Sequence, residues 1–153
     1  MESDENREAV LQQLHEIERG EAASWVVYPP TPRWWAVGYG LWAATFTLVV
    51  GLLDGATQAL AQLGLVLAIG LMVGWDRRRR GTYPSGRPPR EFNGAILRMV
   101  LGVAAVVGLA GLVGYLLNVW PAAAVAGIGA YAVVARYEHE YAAIAARIRE
   151  RLT

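Results

Sequence analysis

The chain has 153 residues, of which 55% are hydrophobic, and a formal net charge of +1 at pH 7. This length fits one domain, and the apolar share is high for a soluble domain of this size. Because the sequence contains no cysteine, disulfides, thiol nucleophiles and cysteine-based metal sites are excluded.

Residues 1–20 are expected to form an acidic amphipathic helix. Val10, Leu14 and Ile17 recur at helical spacing and give this segment one apolar face. Residues 1–32 carry seven acids against two arginines, so anionic lipid headgroups should repel the polar face. We therefore expect the helix to dock on protein, with the Arg-rich segments of the same chain as the nearest candidates.

An aromatic and proline-rich elbow is predicted over residues 24–34, because its three prolines disfavour a continuous helix. Trp34 and Trp35 at its end are typical of membrane-interface anchors, since indole rings prefer the headgroup level. An SH3-type ligand is the alternative interpretation of the PPxP stretch, and a position beside a membrane span disfavours it.

Four membrane-spanning helices follow, because four almost uncharged apolar stretches each have the length that crosses ~30 Å of hydrocarbon. Tight turns at Asp54-Gly55 and at Asn118 join them as two antiparallel hairpins, and Trp75 and Trp120 are further interface anchors. The predicted fold class is an all-α, integral membrane four-helix bundle. Its spans cover residues 35–53, 56–75, 99–117 and 119–135. A soluble helical protein is disfavoured, since the first span has no polar face to present to water.

The remaining polar segments are an Arg-rich loop over residues 76–95 and a helical tail over residues 136–153. The spacing of Tyr137, Tyr141, Ile144 and Ile148 predicts that the fourth helix continues out of the membrane as this amphipathic tail. Short Arg-rich segments stay in the cytoplasm, and the two tight turns contain no arginine. The sequence therefore places both termini and the loop in the cytoplasm, with the spans in the plasma membrane of a bacterium.

Five arginines are assigned to topology and contact with lipid headgroups: Arg77, Arg78, Arg79, Arg80 and Arg98. Specific lipid recognition is the alternative for the first four, and no nucleic-acid partner is expected. Arg98 lies near the start of the third span, and its expected ion-pair companions are Asp76, Glu91 or Glu138.

Small residues at four-residue spacing are expected to bring the spans together, because lipid gives apolar helices no hydrophobic reason to associate. The candidate contacts are the pairs Gly51 with Gly55 and Gly70 with Gly74, and the stripe Ala122, Ala126 and Ala130. The spacing does not decide between contacts within one chain and contacts between two copies.

Little in the sequence indicates chemistry, since the spans hold almost no ionisable group. Gln58 and Gln62 are the most interior polar pair, expected to form interhelical hydrogen bonds or, with nearby threonines, to line a small polar cavity. No catalytic residue, cofactor or metal site is predicted. His139 between Glu138 and Glu140 is a weak metal candidate, because consecutive helical residues point in different directions.

The layout resembles that of small four-span membrane proteins of unknown function from actinobacteria. The resemblance is carried by Tyr28-Pro29-Pro30 before Trp34-Trp35, and by the run from Arg77 through Gly81 to Pro88. It implies a membrane location and no established activity, so no catalytic residue is carried over.

The function that the sequence favours is a non-enzymatic scaffold, accessory or regulatory subunit, which binds a protein partner or another copy through its cytoplasmic helices. The alternative is a small homo-oligomeric transporter or channel, although the first span lacks the embedded carboxylate on which small multidrug transporters depend. A lipid-modifying enzyme that uses Asp54 or the Arg cluster is the third hypothesis.

Overall fold

The computed structural model of the chain describes residues 25, 31–32, 34–80 and 89–152. The predicted helix at 1–20, most of the elbow and the middle of the Arg-rich loop lie outside the described residues. The described part is all-α and confirms the predicted four-helix bundle. Its helices are α1 (Trp34–Leu52), α2 (Gly55–Arg80), α3 (Arg90–Leu116) and α4 (Val119–Leu152).

The four helices in the described residues are long and apolar enough to cross a membrane. Large apolar side chains cover their outer faces, with Leu60 69% exposed and Leu71 75% exposed. Water would penalise so much exposed hydrocarbon, whereas lipid does not. The fold is thus suited to a bilayer.

The turn between α1 and α2 depends on a glycine with left-handed backbone. Gly55 has φ +58°, a conformation that side chains with a Cβ rarely adopt. Gln58, one turn into α2, donates its side-chain amide to the carbonyl of Val50 at 3.2 Å. That bond provides a donor for a carbonyl in the last turn of α1, where the carbonyl groups have no N–H partner within the helix.

The turn between α3 and α4 is closed by an asparagine. The side-chain oxygen of Asn118 accepts a hydrogen bond from the backbone N–H of Trp120 at 3.0 Å, as an N-cap residue does. Pro121 follows in the first turn of α4, where a missing N–H costs nothing. Both hairpin turns lie where the sequence predicts them.

At the opposite end of the bundle the helices are longer than the predicted spans. The Arg-rich segment predicted as a loop is helical at both ends, since α2 continues to Arg80 and α3 begins at Arg90. The fourth span continues into the tail as one 34-residue helix, as the sequence predicts. Charge marks where a span leaves the bilayer, but arginine and alanine are good helix formers, so the helix does not end there.

The helices pack in the order α2, α1, α4, α3, and each contacts its neighbours in that order among the described helices. We call the end with the two tight turns the turn end. The opposite end is the stalk end, because α3 and α4 continue there as a paired stalk formed by residues 90–98 and 136–152. The termini of the helical region share the stalk end, as four spans require.

Glycines allow α1 and α4 to approach closely. A Cβ at Gly40 would lie 2.9 Å from the carbonyl oxygen of Gly127, and one at Gly127 would lie 3.0 Å from the Cβ of Ala44. On the other side of α4, a Cβ at Gly129 would lie 2.6 Å from a methyl group of Val106. Such close contact provides the dispersion energy that holds helices together in lipid.

The predicted small-residue contacts are only partly those that the structure uses. Ala122 and Ala126 are buried, at 2% and 6% exposure, and Gly51 meets Val119 across the turn end. A Cβ at Gly70 or Gly74 would meet nothing within 4 Å, so that pair makes no helix contact in the described structure.

Candidate functional site

A groove with a volume of about 1170 Å³ runs along the bundle. It exists because α1 and α3 both pack on α4 without contacting each other, so α4 forms a floor between two walls. Aromatic and small apolar side chains line the groove. They include Trp35, Tyr39, Trp42 and Phe46 on α1, Val103, Val107, Gly111 and Gly114 on α3, and Ala122, Ala126 and Ala130 on the floor.

The groove is apolar along most of its length and open at its side. Val103 and Val107 in one wall are 49% and 66% exposed, so the groove communicates with its surroundings. Thr47, one of its few hydroxyls, donates to the carbonyl of Ala43 at 2.9 Å and is satisfied within its own helix. Such a lining accommodates hydrocarbon and gives a polar solute few partners.

Polarity is concentrated at the stalk end of the groove. The charged residues among the described lining are both acidic, Asp76 on α2 and Glu138 on α4. Asp76 is only 7% exposed. The hydroxyl of Tyr141 donates to the carbonyl of Trp25 at 2.6 Å, which holds Trp25 against α4. The indole Nε1 of Trp25 is buried and has no hydrogen-bond partner in the described structure.

The stalk contains the best-buried apolar cluster of the described residues. Phe92 is 0% exposed, and its ring lies 4.9 Å from that of Tyr141 and 5.6 Å from that of Trp25, centroid to centroid. Ala95, Ile144, Ala145 and Ile148 complete the cluster. The apolar spacing of Tyr137, Tyr141, Ile144 and Ile148, which predicts an amphipathic tail, thus forms a packed face.

Ion pairs join the two helices of the stalk. Glu140 accepts from Arg136 at 2.9 Å and from Arg98 at 3.0 Å, and these hydrogen bonds hold the pKa of Glu140 below its ordinary value. Arg151 reaches Glu91 at 3.1 Å. A carboxylate with a lowered pKa keeps its partners at neutral pH and releases them only as the pH falls through that lowered pKa.

The predicted ion-pair partners of Arg98 are wrong. Arg98 pairs with Glu140, and not with Asp76, Glu91 or Glu138, because Glu140 faces α3 while Glu138, two residues away on α4, lines the groove.

The arginines Arg77, Arg78 and Arg79 are exposed on the last turns of α2. The guanidinium of Arg79 lies 4.1 Å from the ring centroid of Trp75.

The four tryptophans assigned to the membrane interface fall into two groups. Trp34, Trp75 and Trp120 are 47%, 45% and 64% exposed and lie at the ends of helices. Trp35 is only 7% exposed and lines the groove against Tyr39, with their ring centroids 5.8 Å apart. Trp35 therefore belongs to the packing of the groove, and the anchor role of the other three stays a prediction.

The interior polar pair and the histidine lie away from the groove. Gln58 serves the turn end as described, and neither Gln58 nor Gln62 is among the described lining residues. Within the described ranges, no three His, Cys, Asp or Glu side chains are placed to hold a metal ion. His139 is exposed on the stalk.

The sequence indicated Asp76 and Glu138 only as companions of Arg98, and it did not indicate Trp25 at all, although these three residues line the stalk end of the groove. The groove position of Asp76 is hard to recognise in the sequence because a run of arginines follows it. The position of Glu138 is hard to recognise because other charged residues surround it. A carboxylate at the end of an apolar stretch, directly before a basic run, is the signal that identifies the position of Asp76.

The class of protein that this fold defines is a four-span helical membrane protein with a paired-helix stalk. Comparison with known proteins adds no identity: no family model, curated protein or solved structure matches the chain. The resemblance to actinobacterial membrane proteins stays a prediction.

Proposed function

We propose that the protein is a non-enzymatic scaffold or regulatory subunit that binds a protein partner through its stalk. The observation that supports this most is that the most completely buried side chains, Phe92 at 0% and Ala95 at 1% exposure, lie in the stalk. A pair of helices held by its own apolar core and ion pairs is a rigid element, and rigid elements present docking residues with little entropic cost.

The stalk projects far enough to reach a partner outside the bilayer. The 34 residues of α4 extend about 51 Å at ~1.5 Å per residue. A helix needs ~30 Å to cross the hydrocarbon, so roughly 20 Å of α4 lies beyond it. Exposed residues on this part include His139, Ala143 and Arg147, which leaves a mixed polar and small-residue surface free for contact.

The stalk end faces the cytoplasm in this proposal, with the protein in a bacterial plasma membrane. Support comes from the arginines, which lie at the stalk end on α2, α3 and α4 and are absent from both turns. Arginine-rich ends of spans are retained on the cytoplasmic side. The two tight turns then face the opposite side of the membrane.

The orientation can be tested with single cysteines, because the natural chain has none. Asp54→Cys at the turn end and Ala143→Cys on the stalk replace exposed residues. We expect a membrane-impermeant maleimide to label Asp54→Cys in intact cells, and to label Ala143→Cys only after the cells are opened. Labelling of the stalk cysteine in intact cells would invert the orientation and remove the cytoplasmic partner from the proposal.

Partner binding is tested by reversing one exposed charge on the stalk. Arg147→Glu should lower the amount of partner, or of a second copy, recovered after cross-linking in cells by roughly tenfold, equivalent to about 1.4 kcal/mol. Arg147 is exposed, and its Nε bonds only to the carbonyl of Ala143 one turn earlier in the described structure, so the fold should tolerate the change. Quantitative mass spectrometry of the cross-linked products measures the effect.

The matched control is Arg78→Glu, which makes the same charge reversal on an exposed residue at the same end of the bundle but on α2. We expect Arg78→Glu to leave recovery close to that of the natural chain. Equal losses in both variants would indicate a general effect of charge at the membrane surface. No loss in either would contradict docking through the stalk.

A further inference from the structure

We propose that the groove between α1 and α3 binds a membrane phospholipid whose headgroup carries an ammonium group, as in phosphatidylethanolamine. This site does not include the exposed stalk residues His139, Ala143 and Arg147 and does not depend on a protein partner.

The groove must be filled by something in a membrane. Unfilled apolar space forfeits dispersion contacts along all of its walls, and water does not enter a cavity that offers no polar partners. A volume of about 1170 Å³ exceeds the ~300–1,000 Å³ of pockets for small ligands. Val103 and Val107 are exposed along the open side, so a lipid chain can enter laterally.

The lining of the groove becomes more polar from the turn end to the stalk end. At the turn end the lining includes Gly51, Gly114 and Val119, and at the stalk end it includes Asp76 and Glu138. An amphiphile has the same asymmetry, with an apolar tail and a charged head. The tail would lie between the walls of α1 and α3, and the head would lie at the level where the helices leave the hydrocarbon.

The charges at the stalk end select the headgroup. Asp76 and Glu138 attract an ammonium, and neither needs to be free of other partners, because a carboxylate offers about four acceptor positions. The buried indole N–H of Trp25 lacks a partner in the described structure and is suited to a phosphate or ester oxygen. An ethanolamine phospholipid supplies both an ammonium and these acceptors, whereas an anionic glycerol headgroup supplies acceptors and neutral hydroxyls but no cation.

A pair of glycines on α3 gives a sharp test of occupancy. Gly111 lines the groove and Gly108 does not, yet a Cβ at either position would meet nothing within 4 Å. Gly111→Phe should therefore place a ring in the groove without a clash, and Gly108→Phe should place the same ring in the surrounding lipid. Both proteins should remain folded, which thermal unfolding in detergent verifies.

The probe is phosphatidylethanolamine with a diazirine on its acyl chain, incorporated into vesicles with the full-length protein. We expect cross-links to residues of the two walls in the natural chain, at least about tenfold fewer in Gly111→Phe, and an unchanged yield in Gly108→Phe. Equal yields from all three proteins would show that only general bilayer contact is being measured, and would overturn the site.

The headgroup is tested with the same reagent built on phosphatidylglycerol. Asp76→Asn and Glu138→Gln should each reduce the preference for the ethanolamine lipid while the total yield of cross-links is retained. Glu138→Gln keeps the headgroup test decisive if Asp76→Asn does not fold. Equal labelling by the two lipids in the natural chain would contradict the assigned headgroup. Cross-linked dimers that disappear in Gly111→Phe would assign the groove to a second copy instead.

Discussion

Gly40→Val is expected to separate α1 from α4 and to lower the free energy of unfolding by about 3 kcal/mol, the upper part of the range for overpacking. A Cβ at Gly40 lies 2.9 Å from the carbonyl oxygen of Gly127 and 3.1 Å from the Cβ of Tyr131. The nearer of these two atoms, the oxygen of Gly127, belongs to the backbone and cannot move aside by rotating as a side chain can. Valine adds two further methyl groups to a contact that is already too short.

The measurement is equilibrium unfolding in mixed micelles, with Gly64→Val as the matched control. Gly64 lies on α2, where a Cβ meets nothing within 4 Å, so this variant makes the same change in helix propensity without a clash. We expect Gly64→Val to unfold close to the natural chain. If both variants lose equal stability, the α1–α4 contact is not what holds the bundle together.

The contact between Gly40 and Gly127 also shows why the contacts between helices could not be predicted from the spacing of small residues. Small residues stand four positions from Gly40 (Ala36 and Ala44) and from Gly127 (Ala123), just as Gly70 stands four positions from Gly74. Yet Gly40 and Gly127 meet each other's helices, whereas Gly70 and Gly74 lie open. In lipid the outer and inner faces of a span are equally apolar. The sequence therefore tells which residues permit close approach, but not which face meets another helix.

The spans themselves were predictable for a direct physical reason. Backbone polar groups in hydrocarbon must be satisfied within the segment, so a long uncharged apolar stretch is helical whatever it packs against. The turns at Gly55 and Asn118 follow from local chemistry in the same way. The continuation of α2 to Arg80 and the start of α3 at Arg90 were not predicted, because charge locates the bilayer surface and not the end of a helix.

The groove could not be predicted, because it is the space that remains where α1 and α3 both pack on α4 and not on each other. Its wall residues, such as Trp42 and Val107, are ordinary apolar residues in the sequence. Trp42 donates its indole N–H to the carbonyl of Leu65 at 3.0 Å, which ties α1 to α2. This bond keeps α1 between α2 and α4.

Phe92→Ala is expected to open the stalk while leaving the spans assembled. Removing a fully buried phenylalanine costs ~3–5 kcal/mol, and the ring of Phe92, 0% exposed, contacts elements on both sides of the stalk. Amide hydrogen exchange over residues 137–150 should accelerate by roughly two orders of magnitude, the factor that corresponds to about 3 kcal/mol. Exchange over residues 120–133 should stay unchanged, because those amides lie in the span.

Leu97→Ala serves as the control for this experiment, since Leu97 lies on the same helix and is 59% exposed. The truncation of an exposed side chain leaves no cavity, so exchange in the stalk should match that of the natural chain. Uniform acceleration along all of α4 in Phe92→Ala would mean that stalk and spans unfold together. Acceleration confined to the stalk makes it a separate cooperative unit. A unit of that kind can bind a partner, or lose one, without disturbing the helices in the membrane.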